Sequence, residues 1–238
     1  MKKRLFILSC LYPCLVFAQT KQEEKTVYLK DAAAVVSASS SVIPVEHHFV
    51  DLLSLPIPPL LEIRYATKYN FTGVQLYPFP RAYLHQDAAA ALLAVQKDLA
   101  ARGLGLKVYD AYRPLSVQRT MWNLIRDERY VSNPDVSRGR HTRGAAVDVT
   151  LVDKLGNELP MPSPFDEFTE TAHRNYTGAK PEQKKNSLLL EEVMKKYGFD
   201  PFPYEWWHFD FRNWQNYPPL DISIQELSEG KRLTMPVP

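Results

Sequence analysis

Apolar positions recur along the chain in two rhythms. In "QDAAAALLAVQKDLAARG" (86–103), Ala and Leu dominate at helical spacing, with Asp87 placed to cap the helix and Gly103 to end it. "LGLKVYDAY" (104–112) alternates instead, setting Leu104, Leu106 and Val108 on one face of a strand. Pro114 opens a second helix through Arg126, because proline is tolerated in a first turn. "AAVDVTL" (145–151) reads as a strand, and "QKKNSLLLEEVMKKYG" (183–198) as a helix ending at Gly198. "EWWHFDF" (205–211) follows Pro203 and is rich in aromatics, which predicts a strand. "IPPLLEIRYATKYNFTG" (57–73) starts extended, since its prolines block a helix, and ends in a loop. There is no internal repeat and no regular βαβα alternation. The pattern predicts an α+β fold, with helices against an antiparallel sheet.

The N-terminal end follows neither rhythm. Residues 1–18, "MKKRLFILSCLYPCLVFA", have the form of a signal peptide: a charged start, a mostly apolar run and small or β-branched residues before Gln19. Pro13 inside the run opposes an uncleaved anchor, and neither Cys10 nor Cys14 follows a lipoprotein-type small-residue box. Residues 19–43 are polar, then Ala/Ser-rich, and read as a loosely held lead-in; the compact domain is expected over 44–238. Cleavage would remove both cysteines and leave 220 residues, enough for one domain held by its core rather than by disulfides. It would also lower the formal net charge from +2 to −1, because the leader carries three basic residues and no acid. No basic footprint for nucleic acid and no apolar segment for a membrane span would remain. The expected location is the periplasm or the medium. The oligomeric state is not written in the sequence.

Chemistry concentrates in two stretches. "GRHTRGAAVDVTL" (139–151) sets His141 and Asp148 around a small-residue turn, and "YEWWHFDF" (204–211) adds His208, with Glu205 three positions before it. Two neutral imidazoles and one carboxylate are a familiar ligand set for a catalytic zinc with an open position for water. Parity is an obstacle: seven residues apart on one straight strand, His141 and Asp148 point to opposite faces. They converge only if "TRG" turns at Gly144 and Asp148 lies on the strand that leaves it. An Asp between Val147 and Val149 is disfavoured unless something pairs it. Glu205 and His208 meet the same obstacle, which places Glu205 in a bend before the strand or beside a bulge. Local chemistry leaves Glu205 open between a base facing the metal and an exposed strand-end acid.

"HTRGAAVD" with "EWWH" resembles the VanX-type zinc D-alanyl-D-alanine dipeptidases of the M15 metallopeptidases. "RYATKYNFTG" (64–73), "YDAYRP" (109–114) and "VTLVDKLGNELPMPSPFDEF" (149–168) match in the same order, so the likeness runs from about residue 45 to 217. The resemblance implies one zinc per chain on His141, Asp148 and His208. It implies Glu205 as general base for a metal-activated water, Arg113 as stabiliser of the oxyanion, and Tyr65 and Asp166 lining the substrate pocket. The implied reaction is hydrolysis of the small D,D-dipeptide D-Ala-D-Ala to D-alanine. The implied fold is the α+β core shared with hedgehog-like domains and D,D-peptidases, an antiparallel sheet carrying the metal. One position departs: the family usually has Ser two residues before the first His, and this chain has Gly139. Two other readings use the same residues, a D,D-carboxypeptidase or endopeptidase acting on peptidoglycan stem peptides, and a non-catalytic zinc-stabilised binding module. A pure binding module has no need of Glu205 and Arg113 together.

Other candidates have plainer readings. Trp206, Trp207, Phe209 and Phe211 suit core and pocket wall. Arg138, Arg140 and Arg143 are placed either to hold a substrate carboxylate or to face water. His47 and His48 receive no metal role, and His173 lies in a polar segment within reach of the pocket.

Overall fold

The computed structural model describes residues 49–230. The expected signal peptide, the lead-in and His47 and His48 lie outside the described residues. The fold is α+β. Leu60–Leu61 (β2), Gly105–Asp110 (β4), Ala146–Val152 (β5), Phe199–Pro201 (β6) and His208–Phe211 (β7) make one five-stranded sheet, in the order β2-β4-β5-β7-β6. Its pairs are antiparallel except at the edge, where β2 runs parallel to β4. Phe49–Asp51 (β1) and Tyr83–His85 (β3) form a separate antiparallel pair. Strands of two or three residues carry no readable period, so the sequence pattern missed β1, β3 and β6.

The helices Gln86–Ala101 (α1), Leu115–Leu124 (α2) and Pro181–Lys196 (α3) form where expected, with shifted ends, and Ile224–Glu229 (α4) adds a short fourth. The cap of α1 is His85 rather than Asp87: its Nδ1 accepts from the Asp87 N–H. Pro114 is the residue before α2, and Pro181 starts α3 two residues earlier than expected, as proline at a first helical position does. Asp98 joins α1 to the end of α3, accepting from Lys196 Nζ at 2.6 Å and Tyr197 Oη at 3.0 Å.

All seven residues of β5 are buried, so the strand packs on both faces. Val147, Val149 and Leu151 alternate with Asp148 and join the hydrophobic core. Asp148 lies directly opposite His208 on β7. On its other side the register of β4 shifts between Val108 and Asp110, which brings Asp110 opposite Asp148. Without that bulge at Tyr109, Asp110 would share the face of Val108. Asp110, Asp148 and His208 therefore form one row across three strands.

Gly144 ends the His141–Arg143 3-10 turn at φ 61°. A Cβ there would stand 2.5 Å from Phe49 Cε1 and 2.9 Å from the His85 backbone nitrogen. Gly73 has a similar φ of 71° but open space around it. Gly73→Ala should therefore cost about 1 kcal/mol of stability from backbone strain alone. Gly144→Ala should cost about 3 kcal/mol, because overpacking adds to strain. Urea unfolding of both variants checks this, and equal losses would contradict the packing account.

Candidate metal centre

All seven residues singled out for the site line one cleft: Tyr65, Arg113, His141, Asp148, Asp166, Glu205 and His208. Each arrives by a different local device. The 3-10 turn lifts His141 off the strand line, and Gly144 in the left-handed region returns the chain into β5, so the odd spacing no longer forbids convergence. His208 is the first residue of β7, and Glu205 sits in the turns before it, off the strand. The expected strand over 205–211 is thus four residues long. Asp166 follows Phe165 at φ 61°, a left-handed conformation that Asp tolerates better than most residues.

His141 Nε2, His208 Nδ1 and Asp148 Oδ1 face one another at 3.1, 3.0 and 3.4 Å. The outer nitrogens decide what these atoms can do. His141 Nδ1 is 2.6 Å from the Ala111 carbonyl, which can only accept, so Nδ1 carries the hydrogen and Nε2 presents its lone pair. His208 Nε2 is 2.9 Å from Asp210 Oδ1 and is held as a donor in the same way. Burial pushes Asp210 up, but His208 outweighs it and keeps that carboxylate below its usual range. Burial also pushes Asp148 up, and His141 and His208 together hold it well below the usual range.

Two lone pairs and a carboxylate, all buried, thus converge on one point. That arrangement needs a positive charge at its centre. Ligands about 2.0–2.2 Å from a tetrahedral zinc stand about 3.3–3.6 Å apart, close to the separations found. The donor set fits a cation of this kind. A proton is the alternative occupant: burial would lower His208, but Asp210 and Asp148 outweigh it and push its pKa up to about 10.

Glu205 is 6% exposed, and its Oε2 lies 3.9 Å from His208 Nδ1. Its carboxylate accepts no hydrogen bond among the described residues, and burial pushes it well above the usual carboxylate range. It is close to the metal centre yet outside the ligand triangle. Arg113 is buried beside it. Asp110 Oδ2 takes both Nε and Nη2 of Arg113, at 3.0 and 2.8 Å, and Gln118 Oε1 takes Nη1 at 2.8 Å. Tyr77 Oη donates to the other Asp110 oxygen, and Gln118 donates to the Ser132 carbonyl. Tyr65 Oη donates to both oxygens of Asp166, at 3.0 and 3.2 Å. Burial, aided by Asp148, pushes Asp166 up to about 8.

Sequence reasoning missed Asp110, Gln118 and Asp210. A signal existed for Asp110, an acid inside a buried strand three residues before an arginine. The hydroxyl question at Gly139 has a geometric side: its φ is 76°, and Gln118 and the Ser132 Cβ stand 3.6 Å from where a Cβ would be. His173 lies outside the cleft wall and meets it through Tyr130, whose Oη is 3.0 Å from His173 Nε2.

The D-Ala-D-Ala dipeptidase model of peptidase family M15 matches residues 46–220. A D-alanyl-D-alanine dipeptidase of Escherichia coli strain K12 is 38% identical over 169 residues, covering 71% of this chain and 87% of that protein. One from Enterococcus faecium is 32% identical over 172 residues, covering 64% and 85%. One from Enterococcus faecalis is 30% identical over 168 residues, covering 62% and 83%.

Metal loading gives a signed test. Only neutral imidazole binds metal, while the two carboxylates hold a proton on His208 up to about pH 10. Adding Zn²⁺ to chelator-treated protein near neutral pH should therefore release about one proton per ion from this site. Calorimetry in buffers of different ionisation enthalpy measures it, and binding without proton release would contradict a protonated His208 in the metal-free centre.

Proposed function

The chain belongs to the D-Ala-D-Ala dipeptidases of peptidase family M15, and on that premise we propose that it hydrolyses free D-Ala-D-Ala to D-alanine with one zinc per chain. The observation that carries the proposal is the convergence of His141, Asp148 and His208, with a buried carboxylate beside them that ligates nothing. Zinc held by these three residues would acidify the attacking water and polarise the scissile carbonyl.

The remaining chemistry belongs to side chains. Glu205 takes a proton from the water as its oxygen adds to the amide carbon. Its raised affinity for protons lets it keep that proton and pass it to the departing amine as the C–N bond breaks. Arg113 has three of its five N–H groups committed to Asp110 and Gln118, and two remain for negative charge developing on the carbonyl oxygen. The clamp stops the guanidinium from following the ground state, so its stabilisation favours the transition state. Tyr65 and Asp166, tied together, shape the wall for the rest of the dipeptide. Glu205 and Arg113 in the same cleft support an enzyme rather than a binding module.

The leader-like first eighteen residues support export, and residues 44–238 the catalytic domain, so the reaction is assigned to the periplasm or the medium. The exported protein should begin at Gln19, which N-terminal sequencing of the secreted form checks; cytosolic protein keeping residues 1–18 would contradict it.

Glu205→Gln should bind zinc normally and lose at least about a hundredfold in kcat. His208→Ala should lose zinc and activity together. A Glu205→Gln protein with ordinary turnover would remove Glu205 from the mechanism. A panel of D-Ala-D-Ala, N-acetyl-D-Ala-D-Ala and a stem pentapeptide assigns the substrate. Preference for the acylated or longer peptides would replace the dipeptidase reading with that of a carboxypeptidase.

A further inference from the structure

A dipeptide carries a terminal carboxylate at one end whatever its side chains, and a buried cleft must meet that charge with a cation. Among the described residues, two arginines line this cleft, Arg113 and Arg140. Arg113 is committed to Asp110 and Gln118, and its remaining N–H groups are assigned to the reacting carbonyl.

Arg140 differs. Its Nε is buried without a hydrogen-bond partner, and its side chain is 28% exposed, with no hydrogen bond at either Nη group among the described residues. Asp210 Oδ2 is its near carboxylate, 3.4 Å from Nε and outside hydrogen-bond geometry, while Asp210 Oδ1 is engaged by His208. The guanidinium carbon lies 4.9 Å from the Trp214 ring centroid, a cation–π contact that uses none of its N–H donors. Its neighbours are unavailable or elsewhere. Arg143 donates to the Gly139 and Tyr217 carbonyls, and Arg138 is exposed.

We propose that Arg140 is a substrate-binding residue that receives the terminal carboxylate of the dipeptide. This deepens the dipeptidase reading and rests on it. A planar fork with open Nη groups suits a carboxylate, which takes two parallel N–H donors. The position also orders the site. Arg140 immediately precedes His141 in the chain, so the cation that holds the substrate's end and the turn that carries a metal ligand are one structural unit. A peptide whose end is blocked offers the Nη groups no anion and covers part of their remaining solvent access, which selects against it.

The test compares D-Ala-D-Ala with its C-terminal amide, D-Ala-D-Ala-NH₂, on the zinc-loaded full-length protein. Wild type should prefer the free acid by about 30-fold or more in kcat/KM. Arg140→Gln should reduce that preference to within about threefold, through a higher KM for the acid, with the amide little changed. Arg140→Lys should retain an intermediate preference, because it keeps the charge without the fork. Zinc content should match wild type in both variants. A merely structural role, acting through His141 or Asp210, would lower zinc content or slow acid and amide alike. An unchanged acid-to-amide ratio in Arg140→Gln overturns the proposal. So does a wild-type ratio near one, which needs no variant to fold. Wild type that cleaves neither compound contradicts the dipeptidase reading itself; wild type that cleaves both equally contradicts only the role of Arg140.

Discussion

Two imidazole lone pairs and a carboxylate, buried and about 3 Å apart, repel one another unless a positive charge stands among them. The rest of the structure is arranged to hold that unfavourable grouping in place. Asp148 sits in a strand buried on both faces and cannot turn to solvent. His208 is its direct cross-strand partner. His141 is pinned by the Ala111 carbonyl on one side and by the closely packed Gly144 turn on the other. The backbone thus creates the demand for a cation before any ligand arrives, which is how a fold makes binding strong and selective in position.

A second layer sets the chemistry around that point. The bulge at Tyr109 turns Asp110 onto the metal face, where it fixes Arg113. Asp210 fixes His208 from behind. The turns that carry Glu205 are braced by Arg174, whose guanidinium donates to the carbonyls of Phe202 and His208, with Glu191 of α3 as its counter-charge. The backbone N–H of Trp206 donates to the Ala172 carbonyl and closes the same brace. Glu205 therefore stands on a tied loop, not a loose one, and burial, aided by Asp148 and Asp166, gives it its affinity for a proton.

Much of this was legible from the chain, and the remainder has identifiable reasons. The α+β class followed from the mixture of periods. The residues brought into the cleft stood in motifs, and the parity conflicts at His141–Asp148 and Glu205–His208 correctly demanded a turn and a bend. What stayed hidden depends on pairings distant in sequence. Strands such as β1, β3 and β6 exist because partners elsewhere complete them, and three residues have no period to read. The parallel edge pair and the bulge are properties of register, which local pattern does not encode. The ends of helices moved for local chemical reasons, a His85 cap and a Pro181 start.

The central claim is that His141, Asp148 and His208 hold one catalytic zinc. X-ray absorption at the zinc edge of the stoichiometrically loaded protein tests it most directly. The account predicts low coordination number, two imidazoles and oxygen ligands, with metal–ligand distances of about 2.0–2.2 Å. A shell without imidazole scattering, or a six-oxygen shell, would contradict it.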